Sequence, residues 1–81
     1  MIVRVNWNSP NSDGHQMYHT YEASQYLVEY LGFSGSSNGP SGPCRVRLIL
    51  DGDKHDIALS GGDTAYIMNN EGKTIDVIRT I

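Results

Sequence analysis

The sequence predicts an α+β fold, one helix packed on a four- to five-stranded, mainly antiparallel sheet in the order β-α-β-β-β-β. Three features lead there. The N-terminal residues alternate apolar and polar side chains, residues 20–32 change to a helical period, and the C-terminal half returns to alternation broken by Gly- and Asp-rich turns. Residues 2–7 put Val3, Val5 and Trp7 on one face and Ile2, Arg4 and Asn6 on the other, the period-two pattern of a half-buried strand. Asn8-Ser9-Pro10-Asn11-Ser12-Asp13-Gly14 then gathers residues that favour turns through fixed φ, positive φ or local side-chain bonds.

Ala23, Tyr26, Leu27, Tyr30 and Leu31 follow at the spacing of an apolar helical stripe. Thr20 is placed as the N-cap, Glu22 complements the positive first turn, and Gly32 with Phe33 suits a left-handed C-terminal cap. On this reading Tyr26 and Tyr30 belong to the core, while Tyr18 and Tyr21 can reach a ligand. Residues 34–43 contain no charged or large apolar side chain and predict a flexible Gly/Ser/Pro loop. Four further strands are expected. Residues 45–50 turn at Asp51-Gly52 into residues 55–59, with Val46, Leu48, Leu50, Ile57 and Leu59 inward. Ser60-Gly61-Gly62-Asp63 leads to residues 64–69, and Asn70-Glu71-Gly72-Lys73 to residues 74–81, with Ile75 and Val77 inward. Without intervening helices these strands predict an antiparallel meander.

Length and charge bound the function. With 81 residues, 38% hydrophobic and 19% charged, residues 1–81 are expected to form a single small domain that buries about 60–65% of its unfolded surface. Large multi-layer enzyme folds are thereby excluded. Nine acidic against six basic residues give a net charge of −3, no footprint for duplex DNA, which is bound through clustered Lys and Arg. The lone Cys44 closes no disulfide within the chain, and neither a signal peptide nor a membrane span of about 20 apolar residues is evident. A cytoplasmic location is expected.

One helix cannot cover both faces of such a sheet. The uncovered face is expected to carry Arg4, Asn6, Arg45, Arg47, Ile49, Tyr66, Met68, Asp76 and Ile78. Arg, Tyr and Met are enriched in interfaces, so Arg4, Arg45, Arg47, Tyr66, Met68, Ile78 and Arg79 are the expected contacts for a partner or ligand, and a homodimer is the simplest way to satisfy the face. Ser36, Ser37, Asn38 and Gly39 are the candidate lid in the loop, through backbone N–H groups and serine hydroxyls.

Other motifs fail on their context. Gly35-Ser36-Ser37-Asn38-Gly39 matches G-x-S-x-G, but a nucleophile elbow requires a preceding strand and a following helix. No Gly-Lys-Ser or Gly-Lys-Thr completes a P-loop. His15, His19, His55 and Cys44 lack the paired spacing of a zinc site, and residues 51–62 have Asp56 and Gly62 where a calcium loop needs Gly and Glu. Neither a metal nor a cofactor is expected. Cys44 beside Arg45 is read as a small half-buried thiol rather than a reactive one.

The resulting expectation is a non-enzymatic binding protein that acts by occupying a host protein. At the level of class alone, a phage or mobile-element inhibitor of a host defence protein fits such a small acidic domain. The alternative is a binder of a small anionic ligand such as a nucleotide, with arginine on phosphate, tyrosine on the base and a pocket completed by dimerisation. A single-stranded RNA-binding sheet with Tyr66 as the stacking residue ranks third.

Overall fold

A computed structural model describes residues 1–10, 16–36, 39–52 and 54–81. Among them the chain forms β1 (Ile2–Pro10), β2 (Gln16–Glu22), β3 (Tyr26–Ser36), β4 (Gly39–Leu50), β5 (His55–Ser60), β6 (Thr64–Met68) and β7 (Thr74–Arg79). A four-stranded antiparallel sheet A has the order β2-β1-β6-β7, and a three-stranded antiparallel sheet B the order β3-β4-β5. The fold is therefore all-β, and the expected α+β class and its helix are corrected.

The physical reason lies in residues 20–32. Tyr26, Val28 and Tyr30 alternate with Leu27, Glu29 and Leu31, so the segment fits a strand period as well as a helical one, and aromatic and β-branched residues suit the strand. Pairing with the apolar alternation of β4 decides the outcome, with Val28 opposite Leu48 and Tyr26 opposite Leu50. Thr20 sits inside β2 opposite Arg4 instead of capping a helix. Gly32 pairs with Arg45 where the register shifts, a bulge that absorbs the extra residue and bends the strand. Most of the expected 34–43 loop also extends this ribbon, with Phe33 opposite Pro43, Ser34 opposite Gly42 and Ser36 opposite Gly39.

The two sheets pack face to face. Val3 and Val5 of β1, Ala65 and Ile67 of β6 and Ile78 of β7 meet Val46, Leu48 and Leu50 of β4 and Ile57 and Leu59 of β5, with Ala23 at the crossover. Full burial of each larger aliphatic side chain contributes about 1.5–3 kcal/mol. Contacts at the rims fix which strands overlie. On one side, Tyr21 of β2 lies 5.0 Å from His55 of β5 between ring centroids. On the other, the Tyr26 hydroxyl of β3 donates to Asp76 Oδ2 of β7 at 2.9 Å, and the Ile81 amide donates to the Pro43 carbonyl at 2.9 Å. Asp76 raises the Tyr26 pKa, since the hydrogen bond and the carboxylate charge both disfavour phenolate.

Two aspartates hold the crossovers between sheets. Asp51, in the β4–β5 turn, accepts the amides of Ser24 and Gln25 on Oδ1 at 2.8 and 2.9 Å and donates its own amide to the Gln25 carbonyl. Those backbone bonds hold its carboxyl below the usual range. Asp63 accepts the Asn8 amide on Oδ1 and the Ser60 amide on Oδ2, and its carbonyl accepts both the amide and the hydroxyl of the buried Thr80. Gly62 is required beside it: its φ is +94°, and an added Cβ would stand 3.0 Å from Asn8 Nδ2.

Two further expectations change. The last four strands are not one meander, because β6 leaves β5 and pairs with β1. In β7 the register shifts between Ile67 and Met68 of its partner, and Ile78 becomes the buried residue while Ile75 and Val77 are exposed. The expected phase of this strand was thus inverted, and Ile78 does not reach the surface.

Ile78→Asp should lower stability by about 3–5 kcal/mol by burying an unpaired carboxylate, whereas Val77→Asp should cost about 1 kcal/mol or less. Urea denaturation of both variants checks the phase. The acid limb of stability supplies another test. Since the folded Asp51 pKa is depressed, its contribution is complete above about pH 4 and disappears as pH falls through the lower folded value. Asp51→Asn should therefore melt below the wild type at neutral pH, and the gap should close on acidification.

Candidate functional site

The outer face of sheet A brings several expected contact residues together. Alternation places Arg4 and Asn6 of β1 and Tyr66 and Met68 of β6 opposite the core-facing Val3, Val5, Ala65 and Ile67. Arg4 lies between Thr20 and Tyr66, and Asn6 between Tyr18 and Thr64. Arg4 Nε donates to Asn6 Oδ1 at 3.2 Å, and its guanidinium carbon stands 4.3 Å from the centre of the Tyr18 ring. This is a cation–π contact across neighbouring strands. Beside it, Arg4, Asn6, Tyr66, Met68 and Thr74 line a shallow depression of about 280 Å³.

The result is a broad, flat surface. Tyr18 is 58% exposed, Arg4 is exposed, and Tyr66 and Met68 are half-buried at the floor of the depression. Among the described residues no carboxylate pairs with Arg4. The guanidinium is oriented by a neutral amide and an aromatic face and keeps its charge available to an incoming acceptor. Arg79 lies on the same sheet, opposite Thr64 on the far strand.

Arg45 and Arg47 are not part of that face. They belong to sheet B and project on the opposite side of the molecule, because the two sheets turn their apolar faces towards each other. The single mixed face expected from the sequence is thus two separate surfaces. On sheet B, Arg47 Nε lies 2.9 Å from Asp56 Oδ1, its Nη2 is 2.5 Å from Asp56 Oδ2, and its Nη1 is 3.4 Å from Glu29 Oε2. Glu29 is directly opposite Arg47 on β3, whereas Asp56 is a diagonal neighbour on β5. The fork-shaped bond holds the Asp56 carboxyl below its ordinary value and raises the Arg47 guanidinium above its own. Arg47 is therefore engaged in tying three strands together. Ile49 flanks this network and is buried, Arg45 is exposed opposite Gly32, and Asp76 is committed to Tyr26.

The other candidates are dispersed. Ser36 and Gly39 pair at the far end of the β3–β4 ribbon, while Ser37 and Asn38 lie outside the described residues. His15 and Asp53 also lie outside them. His19 Nδ1 accepts the Trp7 indole N–H at 2.8 Å, His55 packs on Tyr21, and Cys44 is half-buried beside Gly32. Among the described residues no three His, Cys, Asp or Glu side chains converge as a metal site, and no helix is long and apolar enough to cross a membrane.

Sequence reasoning treated Tyr30 as core, yet it is 54% exposed and stacked at 6.0 Å on Phe33. Strand alternation puts Tyr30 on the same face as Tyr26, so no local signal separates the two; Tyr30 stands next to the register shift at Gly32. Sequence reasoning also left Thr74 unassigned, because only the pairing of β6 with β7 brings Thr74 opposite Met68. In comparisons with known proteins, the chain matches no family model, no curated protein and no solved structure.

Proposed function

We propose that this chain is a binding protein that acts by occupying a partner protein, with the outer face of sheet A as its contact surface. The observation that carries the reading is the placement of Tyr18, Arg4 and Tyr66 side by side across β2, β1 and β6, with Met68 next to them. Rigid aromatic side chains and an oriented arginine are the residue types that dominate binding energy in protein interfaces. Their support is a paired sheet rather than a mobile loop, so little order must be gained on binding. Blocking a host protein, as an inhibitor from a phage or mobile element does, is one form of the same proposal.

A second reading, a small anionic ligand such as a nucleotide, has support from the depression at Arg4 and Tyr66. It has less support than the first. The depression, at about 280 Å³, lies below the roughly 300–1,000 Å³ of most small-molecule pockets. Arg47, one of the arginines expected to meet phosphate, is already bonded to two carboxylates.

Capture from host lysate with cross-linking, followed by calorimetry on the purified partner, tests the proposal. Arg4→Ala and Tyr66→Ala should each weaken binding by about 2 kcal/mol, roughly 30-fold, without changing the melting temperature appreciably. Equal affinity of the Arg4→Ala/Tyr66→Ala double variant would remove the outer face from the account. A nucleotide that raises the melting temperature of the wild type, while no protein is retained at stoichiometric yield, would favour the second reading.

A further inference from the structure

We infer that a second copy of this chain docks edge to edge along the β3 and β7 side, extending both sheets across a two-fold axis. This edge borders the outer face of sheet A, where Val77 stands opposite Tyr66, but the inference does not depend on the proposed function. Of the nine large hydrophobic side chains exposed among the described residues, seven lie on this side. Leu27, Tyr30, Leu31 and Phe33 come from β3, where they are 54–70% exposed. Ile75, Val77 and Ile81 come from β7 and the residues after it. An even scatter would need no explanation, but concentration along two neighbouring edge strands does.

Among the described residues both strands are sheet edges, and each leaves one side of its backbone without a strand partner in its sheet. They run alongside each other in the same direction. Tyr26 meets Asp76 near one end, and Pro43, the partner of Phe33, meets Ile81 near the other. Antiparallel pairing of a strand with its own copy requires a two-fold axis perpendicular to the sheet. Because the sheets lie face to face, the axis that joins β3 to its copy also brings β7 against its copy, to within the twist of the sandwich.

Charge and area agree with this occupant. Two copies that each carry −3 repel unless the shared surface is nearly uncharged, and residues 30–44 hold no charged side chain. The carboxylates at its margin are engaged within the chain, Glu29 with the Arg47 guanidinium that it shares with Asp56, and Asp76 with the Tyr26 hydroxyl. The 11 residues of β3 and six of β7, at about 3.4 Å rise and about 10 Å of sheet depth each, offer roughly 600 Å² per copy. The total of about 1,200 Å² stands at the lower end of the range for specific, stable interfaces.

Analytical ultracentrifugation of the full chain, at concentrations from nanomolar to tens of micromolar, tests the inference. The wild type should reach twice the 8.9 kDa chain mass, and Leu31→Lys/Phe33→Lys should remain at the single-chain mass with an unchanged circular dichroism spectrum. Hydrogen exchange supplies the second readout: amides of β3 that do not face β4 should slow as the concentration rises. Arg4→Ala/Tyr66→Ala should leave the dimer intact, which separates this surface from the proposed partner face. A wild type that stays at the single-chain mass throughout would overturn the inference, as would a dimer that survives the lysine substitutions.

Discussion

The face-to-face packing of two apolar sheet surfaces governs the rest of this molecule. Val3, Val5, Ala65, Ile67 and Ile78 are covered chiefly by Val46, Leu48, Leu50, Ile57 and Leu59, with Ala23 and the partly buried Met1, Trp7, Tyr21, Tyr26 and Val28 around them. A chain of this length buries only one such layer. Every other surface of the two sheets is therefore left facing outward, and its composition is set by function and solubility rather than by the core. Asp51 and Asp63 serve the packing from its two crossovers. Each uses carboxylate oxygens to bond backbone amides at the places where the chain changes sheets, and so keeps β3 and β6 aligned over their counterparts.

The outer faces then differ in what they can do. On sheet B, Arg47 satisfies Asp56 and Glu29 and makes a closed network that fixes the strands to one another. On sheet A, Arg4 is held by an amide and a ring, neither of which cancels its charge. The same residue type is structural in one sheet and available in the other. That contrast, rather than the number of arginines, supports the outer face of sheet A as the proposed contact surface. The third exposed region, along β3 and β7, is rich in apolar side chains and is the edge of the proposed self-association.

Parts of this organisation were legible in the sequence. Val3 and Val5, Val46 to Leu50 and Ile57 with Leu59 alternate cleanly, and Asp51-Gly52 marks the turn between β4 and β5, where φ is positive at both residues. Arg4, Tyr66 and Met68 were placed outward correctly because they alternate with core residues. Residues 20–32 were not legible, since Tyr26, Leu27, Tyr30 and Leu31 satisfy helical and strand periods together and only long-range pairing with β4 discriminates. The phase of β7 is set by its pairing with β6, which puts Ile78 opposite the buried Ala65 and Val77 opposite Tyr66, and no local pattern announces that partner. Assigning Arg45 and Arg47 to the same face as Arg4 followed from assuming one sheet, because alternation tells inside from outside but not which sheet a strand joins.

Nuclear Overhauser spectroscopy across β3 tests the central claim, that residues once legible as a helix instead complete the second sheet of a two-sheet core. Cross-strand contacts between Val28 and Leu48 and between Glu29 and Arg47 are predicted, together with extended-backbone chemical shifts from Tyr26 to Leu31. A continuous run of sequential amide contacts with helical shifts over the same residues would contradict the two-sheet account.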